Sequence, residues 1–350
     1  MTAQRAVLLV AHTGRPAAVR SARLVLDRLT AAGLAVRVLA AEASALRFPA
    51  AREMPASAEA AAGAEMVIVI GGDGTLLRAA ELARPAGTAV LGVNLGHVGF
   101  LAEADPDDLS GTVDRVVARQ YAVERRMTVD VTVRNNGDLT AETWALNEAT
   151  VEKAARERML DMVTEVDGRP LSRWGCDGVV FATPTGSTAY AFSAGGPVVW
   201  PEVEALLLVP ISAHALFAGP MVVSPRSVLA AEVIGGTGAR PRGAIGDGQT
   251  EASGAVLWCD GRRRVDLPPG SRVEVRRGAL PVLLARLHGA ARSGEGRAGE
   301  AQQGTEAGAL FTDRLVAKFG LPVAGWRGQA DARRAMTPAG QREEGPSGDA

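Results

Sequence analysis

The 350-residue sequence has only two cysteines, Cys176 and Cys259. Two cysteines without a repeated spacing exclude a disulfide framework and a structural zinc site, so a reducing cytoplasm is expected. The sequence also lacks an excess of either charge, since 38 Lys and Arg against 39 Asp and Glu give a net charge of −1. Such a chain has no bulk attraction to nucleic acid or to an anionic membrane, and we expect neither as a partner.

Long apolar runs are scarce as well. Residues 6–11 form an apolar run that is too short for the core of a signal peptide. Residues 206–223 contain no acid, lysine or arginine, but they include Pro210, His214 and Pro220. Two prolines and a histidine favour two buried strands joined by a turn over a membrane-spanning helix. We read His214 as a core or loop histidine.

One stretch, MVIVIGGDGT, joins an apolar run to a glycine-rich turn, and good helix formers follow it. Met66–Ile70 is typical of a strand buried on both faces. Gly71, Gly72 and Gly74 lack Cβ, so backbone N–H groups there can approach a phosphate closely. Asp73 would be unfavourable beside a phosphate unless a metal or a proton transfer uses its carboxylate. The alternative is a tight turn with a helix-capping aspartate.

Strand and helix patterns alternate over the first 120 residues. The candidate elements are strands at 6–11, 36–40, 66–70 and 89–93 and helices at 20–29 and from Asp105 onward. This alternation predicts a doubly wound parallel sheet. A second glycine-rich loop, at 92–101, is expected beside the first. We read its His97 as a polar loop residue, with catalysis as the alternative.

The pattern changes near residue 121. Val129, Val131 and Val133 alternate with polar residues, and turn signals separate further short strands. The fold class expected is therefore α/β plus all-β, an N-terminal doubly wound domain followed by an antiparallel β domain, with a C-terminal helix returning to the body. The predicted divisions are an α/β domain at 1–120, a β-rich domain at 121–288, a flexible insertion at 289–309, a helix docking on the N-terminal domain at 310–328, and a disordered tail at 329–350.

Two polar stretches in the β-rich half indicate a second constellation. Asn147 and Glu148 lie where apolar residues would be expected, and an adjacent amide and carboxylate suit the hydroxyls of a ribose. The alternative for this pair is a solvated strand face. TPTGSTAY at 183–190 follows a buried strand and offers hydroxyls and N–H groups at a turn, which suits adenine, ribose or phosphate.

Together these motifs resemble the NAD kinase family of bacterial type. The resemblance covers almost the whole chain, as far as GLPVAGWRG at 320–328. The matching motifs are GGDGT at 71–75, NLGHVGFL at 94–101, NE at 147–148, GCDG at 175–178, TPTGSTAY at 183–190, SAGGP at 193–197 and GDGQ at 246–249. GGDGT is shared with diacylglycerol-type lipid kinases and with phosphofructokinases. The combination of NE with TPTGSTAY favours the NAD kinases over these two families.

The resemblance implies transfer of the γ-phosphoryl of ATP, or of inorganic polyphosphate, to the 2′-hydroxyl of the adenosine ribose of NAD, producing NADP. Asp73 would take the proton from that hydroxyl, and Arg78 would neutralise charge beside the loop. The β-rich domain would bind the dinucleotide. The implied binding residues are Gly71, Gly72, Gly74, Thr75, Arg78, Asn147, Glu148, Arg158, Asp177, Thr185, Thr188, Ala189, Tyr190 and Ser193. A solvated arginine is an equal alternative at Arg158.

No GxxxxGK[ST] motif is present, so this is not a P-loop enzyme. We expect no dedicated metal ligands in the protein, but we expect Mg²⁺ to screen the donor phosphates. The resemblance also implies a homo-oligomer, a dimer or a tetramer. The chain departs from the family at the 289–308 stretch and at Ala213-His214, where a proline-histidine pair is common.

Two other classes of protein fit parts of the sequence. A lipid kinase would share GGDGT, but it would want a basic or apolar membrane-facing surface that the balanced charge does not suggest. A nucleotide-sensing module without catalysis would be indicated by an altered GGDGT aspartate, and Asp73 is intact. Vesicle sedimentation would identify the first, and turnover of NAD with ATP would exclude the second.

Overall fold

The computed structural model describes residues 4–94, 99–101, 108–155, 159–234, 254–287 and 305–321. The chain divides into two compact units, Met1–Arg297 and Ala298–Ala350. The first unit opens with β1 (Ala6–Ala11), α1 (Pro16–Ala31), β2 (Ala35–Leu39), α2 (Ala40–Leu46), β3 (Arg52–Met54), α3 (Ala58–Ala61), β4 (Met66–Ile70), α4 (Asp73–Ala86), β5 (Ala89–Val93), α5 (Leu109–Val117) and β6 (Tyr121–Arg126).

The rest of the first unit is mostly strands. They are β7 (Val129–Asn135), β8 (Asp138–Ala145), β9 (Glu148–Lys153), β10 (Leu160–Val166), β11 (Arg169–Cys176), β12 (Gly178–Ala182), β13 (Leu206–Ile211), β14 (Met221–Val223), β15 (Leu229–Val233), β16 (Ala255–Cys259), β17 (Arg263–Leu267), β18 (Ser271–Arg277) and β19 (Val282–Leu287). A 3₁₀ helix (Thr185–Thr188) and α6 (Tyr190–Ser193) lie between β12 and β13.

Within the described residues, the first sheet has seven strands in the order β3-β2-β1-β4-β5-β19-β6. Strands β1 to β5 are parallel, and β1, β4 and β5 are buried along their whole length because helices cover both faces. One face packs on α1 and α5, and the other packs on α4. The predicted doubly wound α/β fold is confirmed, and the helix predicted at 20–29 lies within α1.

The last strand, β19, returns to this first sheet. It pairs in parallel with β5 through Leu284 and Val90 and antiparallel with β6 from Val282 to Leu287. The sequence placed both β6 and β19 in the β-rich segment at 121–288, whereas their hydrogen bonds lie in the first sheet. Neither YAVERR of β6 nor VLLARL of β19 alternates strictly, and the sequence of a strand does not itself show which strand it pairs with.

Two antiparallel sheets follow in the described part of the chain, and each has six described strands. Their orders are β11-β10-β15-β18-β7-β8 and β14-β13-β12-β9-β16-β17. Alternate residues of both sheets meet in one apolar core, with Trp174 and Phe181 among its fully buried side chains. The predicted antiparallel β domain is confirmed. The apolar stretch at 206–223 forms two paired strands, β13 and β14, as its prolines indicated.

The second unit contains one described helix, α7 (Thr305–Phe319). It begins ahead of the predicted start at 310 and ends before the predicted end at 328. Its docking on the N-terminal domain stays a prediction. Residues 288–304 and 322–350, with most of the predicted insertion and the whole tail, lie outside the described residues. Among the helices that the structure describes, none is long and apolar enough to cross a membrane.

Candidate functional site

The carboxyl ends of β1 and β4 meet at one edge of the first sheet. The two strands are neighbours, but the chain continues from β1 towards β2 on one side and from β4 towards β5 on the other. The N–H of His12 donates to the carbonyl of Ile70 at 3.0 Å and joins the two loops. Such a switch point is where open α/β sheets bind ligands.

A cleft of ≈ 530 Å³ opens at this point. Its lining residues are Ala11, His12, Thr13, Gly14, Arg15, Gly72, Gly74, Thr75, Arg78 and Arg262. The lining combines glycines at the start of α4, Gly72 and Gly74, with the arginines Arg15, Arg78 and Arg262. This combination suits a chain of phosphates, because N–H groups and arginines both favour anionic oxygen.

Of the three loop glycines, Gly71 is required by close packing, whereas Gly72 and Gly74 are not. A Cβ at Gly71 would lie 2.6 Å from the Thr75 hydroxyl oxygen, so a side chain there would push the turn away from the helix. A Cβ at Gly72 or Gly74 would meet no atom within 4 Å. These two positions therefore face open space, and both line the cleft.

Asp73 is the first residue of α4, and Gly72 occupies the N-cap position. Glycine at the N-cap offers no side chain to cap the helix. The Asp73 carboxylate accepts the N–H groups of Phe100 and Leu101, at 3.3 and 3.4 Å. The helix-capping alternative is wrong for this residue, because the carboxylate turns towards the second glycine-rich loop.

The second loop approaches Asp73 closely because residue 99 is glycine. A Cβ at Gly99 would lie 2.5 Å from the Asp73 Oδ1 atom. The expectation that the two glycine-rich loops lie side by side is therefore confirmed at Gly99, Phe100 and Leu101. His97 and its neighbours at 95–98 lie outside the described residues.

Arg78 is held at the wall of the cleft by a buried carboxylate. Its Nη2 donates to Glu42 Oε1 at 2.5 Å and to the carbonyl of Ala11 at 3.0 Å. Glu42 is only 2% exposed, and burial raises its pKa against the opposing effects of the Ala11 N–H and Arg78. Arg78 therefore shares its positive charge between Glu42 and whatever occupies the cleft.

Three further cleft residues, His12, Arg15 and Arg262, were missed from the sequence. His12 and Arg15 belong to the loop after β1, and their position after the first strand of an alternating pattern was a usable signal. Arg262 comes from the hairpin between β16 and β17, in the β-rich part of the chain. No local pattern marks Arg262, since a basic residue after Asp-Gly is typical of a solvated turn.

The Asn147-Glu148 pair and the TPTGST turn are in direct backbone contact. The N–H of Thr183 donates to the Asn147 carbonyl at 2.9 Å, and its hydroxyl donates to the Leu146 carbonyl at 2.6 Å. A Cβ at Gly186 would lie 2.0 Å from the Asn147 carbonyl oxygen, so glycine is needed there. The structure thus brings together two motifs that are far apart in the sequence.

Glu148 is buried without a full set of partners. It is 7% exposed, and its Oε2 atom has no hydrogen-bond partner in the part of the chain that is described. Burial, reinforced by the charge of Asp260, raises its pKa to about 8 against an opposing hydrogen bond from the Tyr190 N–H. The solvated-face alternative is wrong for Glu148, and an unsatisfied buried oxygen suits a ligand hydroxyl.

Asp177 lies at the other end of β12 from this pair. Strand pairing sets Ala182 opposite Glu148 and Gly178 opposite Glu152, so the length of β12 separates Asp177 from Glu148. Lys153 Nζ contacts its carboxylate at 2.5 Å, and this hydrogen bond lowers the pKa of Asp177. Within one chain, therefore, Asp177 does not join the Asn147-Glu148 cluster.

The other predicted binding residues surround the TPTGST turn. Thr185 and Thr188 lie on the 3₁₀ helix, Ala189 follows it, and Tyr190 and Ser193 lie on α6. Thr185 is buried, whereas Tyr190 and Ser193 are exposed. Arg158 and the GDGQ motif at 246–249 lie outside the described residues. His214 is exposed and forms an isolated bridge with Gly175, as expected of a loop histidine.

Models of known families match both halves of the chain. The ATP-NAD kinase N-terminal domain matches residues 7–121, and the ATP-NAD kinase C-terminal domain matches residues 146–287. The first match spans the loops of the cleft at His12 and Asp73. The second spans Asn147, Glu148 and the TPTGST turn.

Curated relatives match over nearly their whole length. The NAD kinase of Thermobifida fusca is 60% identical over 341 residues, which cover 95% of this chain and 94% of the relative. NAD kinase 2 of Streptomyces coelicolor is 60% identical over 326 residues, covering 93% and 97% of the two chains.

Solved structures share the architecture. The yeast NADH kinase complexed with NADH superposes with a TM-score of 0.70 at 20% identity, over 85% of this chain and 90% of that one. An NAD kinase from Archaeoglobus fulgidus in complex with ATP gives a TM-score of 0.58 at 26% identity, over 81% and 94%. With both family models and relatives at this identity, the chain belongs to the ATP-NAD kinase family.

Proposed function

We propose that this protein is an NAD kinase, which transfers the γ-phosphoryl of ATP to the 2′-hydroxyl of the adenosine ribose of NAD and produces NADP. The observation that carries the proposal is the pairing of two sites in one unit. One is a cleft of glycines and arginines beside Asp73, and the other is the buried Asn147-Glu148 pair against the TPTGST turn. The relatives at 60% identity are named NAD kinases.

The cleft is proposed to hold the phosphates of ATP. Phosphoryl transfer depends on positioning and on stabilising the charge of the transferred group more than on covalent catalysis. Arg15, Arg78 and Arg262 supply positive charge, and the start of α4 supplies N–H groups. Polyphosphate presents the same phosphate chain without a nucleoside, so it is the alternative donor.

Asp73 is proposed as the general base. A ribose hydroxyl becomes a good nucleophile only when its proton has an acceptor in reach. The hydrogen bonds that the Asp73 carboxylate accepts from the N–H groups of Phe100 and Leu101 are long, and they leave lone pairs of the carboxylate free to take that proton. These hydrogen bonds also orient the carboxylate at the N-terminus of α4.

The dinucleotide is proposed to bind against Asn147 and Glu148, with Thr185, Thr188, Ala189, Tyr190 and Ser193 around it and Asp177 and Arg158 further out. The support is the unsatisfied Oε2 of Glu148, which is buried and uncompensated. A ribose hydroxyl would satisfy this atom and offset the cost of burying it.

Mg²⁺ is proposed as a counter-ion that arrives with the donor phosphates. Among the described residues no cluster of three or more His, Cys, Asp or Glu side chains is placed to hold a metal. Mg²⁺ in phosphate sites keeps several waters and takes only one or two protein carboxylates, so it does not require such a cluster. Asp73 is the carboxylate of the glycine loop that would face it. Bound there, the ion would neutralise charge on the phosphates.

A homo-oligomer and a cytoplasmic location complete the proposal. Leu216 and Phe217 are exposed apolar side chains of the β-rich part, and burying them against a second copy would remove apolar surface from water. Both cysteines are free and buried, which suits a reducing compartment. Light scattering coupled to gel filtration would measure the mass, and a monomer would contradict the oligomer.

One coupled assay tests the function. Purified protein is supplied with Mg²⁺ and with NAD or NADH as acceptor, each paired with ATP or polyphosphate, and NADP or NADPH is measured. We expect turnover with NAD and ATP. No product in any pairing, from a protein with a cooperative unfolding transition, would refute the proposed function.

A further inference from the structure

A cluster of charged side chains links the helix that carries Asp73 to the segment that carries Asn147 and Glu148. It is formed by Glu81 of α4, by Arg262, Arg263 and Asp260 of the hairpin between β16 and β17, and by Trp144 at the end of β8. We call it the Glu81 cluster.

The hairpin end of the cluster holds the backbone of the proposed dinucleotide site. Asp260 is 7% exposed, and its carboxylate accepts the N–H of Leu146 at 3.0 Å and the N–H of Asn147 at 2.7 Å. Its own N–H donates to the carbonyl of Glu148 at 2.9 Å. Asp260 therefore fixes the chain on both sides of the Asn147-Glu148 pair.

Asp260 reaches this position through the turn of the hairpin. The N–H of Arg262 donates to the carbonyl of Cys259 at 3.0 Å, and both central residues of the turn have a positive φ, 54° at Asp260 and 62° at Gly261, which Asp-Gly adopts readily. Burial raises the pKa of Asp260, so the site opposes the charge that its hydrogen bonds need. The hydrogen bonds from Leu146, Asn147 and Arg263 offset that cost of burial.

Arg263, in the middle of the cluster, connects Asp260 to α4. Arg263 donates to Asp260 Oδ2 at 2.8 Å and to the carbonyl of Trp144 at 2.7 Å, and it also pairs with Glu81. Its guanidinium stacks 4.6 Å from the Trp144 ring, and Arg84 of α4 stacks on the same ring at 4.4 Å. Planar guanidinium groups on an aromatic ring fix their own orientation.

The α4 end of the cluster also reaches the cleft. Glu81 accepts two hydrogen bonds from Arg262, at 2.9 and 3.2 Å, and Arg262 lines the proposed phosphate site. One carboxylate therefore holds both an arginine of the donor cleft and the arginine that supports Asp260. Glu81 lies on the same helix as Asp73, which begins that helix.

We infer that Glu81, with Arg263 and Asp260, is a positioning unit that sets the acceptor dinucleotide against Asp73 and the donor phosphates. None of the three needs to touch a reacting atom. Their effect is to hold the two substrate-binding segments at a fixed position relative to each other. The ribose hydroxyl is then within reach of both the base and the phosphoryl group. The inference rests on the proposed function.

The first test is Glu81→Gln, which keeps the size of the side chain and removes its charge. A misplacement of about 1 Å can cost about 10²-fold in rate, so we expect kcat to fall between about 10-fold and about 100-fold. The KM values for NAD and ATP are measured in the same assay. A fall in kcat that leaves the melting temperature near that of the control variant supports the inference.

The chain offers a matched control in Glu124. It also bridges two arginines, Arg126 and Arg286, and its side chain is 25% exposed, the same fraction as that of Glu81. It lies on β6, within the first sheet. Glu124→Gln should lower stability about as much as Glu81→Gln and leave kcat unchanged. Equal kcat losses in both variants would overturn the inference, because they would reflect loss of folded protein.

The second test is Asp260→Asn. Asparagine offers one acceptor oxygen, so it cannot accept the N–H groups of both Leu146 and Asn147 without turning its amide against one of them. We expect NAD binding, measured by calorimetry, to weaken by about 10-fold, which is 1.4 kcal/mol, while ATP binding is retained. Unchanged NAD affinity in folded Asp260→Asn would overturn the inference.

The two variants combined test whether the residues act as one unit. If Glu81 and Asp260 act through the same chain of contacts, the kcat of the double variant should be little lower than that of the more impaired single variant. If the fold-decrease in kcat of the double variant equals the product of the two single decreases, Glu81 and Asp260 have separate roles. That result would overturn the proposed positioning unit. Failure of the proposed function is distinguishable throughout, because in that case the unaltered protein also makes no NADP.

Discussion

At the scale of single residues, Asp73 is the proposed general base of the phosphoryl transfer. It is the only carboxylate of the glycine loop, and it faces a second loop rather than capping its own helix. Asp73→Asn keeps the size and removes the base, so turnover of NAD with ATP should fall by about 10²–10⁴-fold. NAD affinity and the melting temperature should change little.

The result that would contradict this role is retained turnover in folded Asp73→Asn. ATP affinity, measured by calorimetry, provides the accompanying control. It should stay the same or rise, because a negative charge beside the phosphates has been removed. A loss of ATP affinity would instead indicate that Asp73 helps to bind the donor.

Glu148 predicts a dependence of stability on pH. Its pKa rises from an ordinary 4.5 to about 8 in the folded protein, because the carboxyl is buried beside Asp260. The folded state therefore binds this proton more tightly than the unfolded chain. The stabilisation is complete below pH 4.5 and is lost as the pH rises through about 8.

Glu148→Gln isolates this contribution. Melting temperatures of the variant and of the unaltered protein are compared at about pH 5 and at about pH 9, and the variant should gain relative stability at the higher pH. Glu53→Gln, at an exposed position of β3, is the control for replacing a glutamate at the surface. A pH-independent difference for Glu148→Gln would mean that the carboxyl is not buried with a raised pKa.

The dinucleotide role of Glu148 has its own test. Removing one partner of a buried polar contact costs about 1–3 kcal/mol, so Glu148→Ala should weaken NAD binding by about 10-fold or more. ATP binding should be unchanged. Calorimetry with NAD measures the change, and an unaltered NAD affinity would remove Glu148 from the site.

At the scale of elements, the two glycine-rich loops depend on each other through Gly99. A methyl group there would lie 2.5 Å from Asp73 Oδ1, so either the loop or the carboxylate must move. Gly99→Ala should therefore lower kcat by about 10²-fold, as expected for a reacting group displaced by about 1 Å. Steady-state kinetics with NAD and ATP measures the effect.

Gly219→Ala is the matched control for this substitution. Its added Cβ would meet only the Phe217 ring, at 3.9 Å, which is ordinary contact. It should leave kcat unchanged. If Gly99→Ala were as active as Gly219→Ala, the contact between the second loop and Asp73 would have no part in the reaction.

The elements also show how much the sequence could predict. The apolar run before GGDGT predicted β4, and alternating strand and helix patterns predicted the doubly wound sheet, since both depend on local periodicity. The contact between Asn147 and Gly186 joins distant segments, and the family resemblance implied only that both stretches bind the dinucleotide. Asp260 could not be found, because Asp-Gly in a hairpin is an ordinary turn.

At the scale of the whole molecule, the segment before α7 is predicted to be dispensable. The stretch predicted to be dispensable, 289–308, has few large apolar residues, and loop length costs only ~0.6 kcal/mol per doubling in closure entropy. Its last residues, from Thr305, belong to α7, so the replacement is made at residues 289–304. Replacing them with a short Gly/Ser linker should leave kcat and the melting temperature nearly unchanged. A large loss of either, measured by the coupled assay and by calorimetric melting, would show that the segment packs or binds something.

The position of β19 has a consequence for the way the protein is made. Because β19 lies between β5 and β6, the α/β sheet stays incomplete until the ribosome has passed Leu287. All the strands of the antiparallel sheets are synthesised before that point, so the β domain is in effect an insertion in the α/β domain. Such distant pairing slows folding, and the unpaired edge of β5 needs protection during translation.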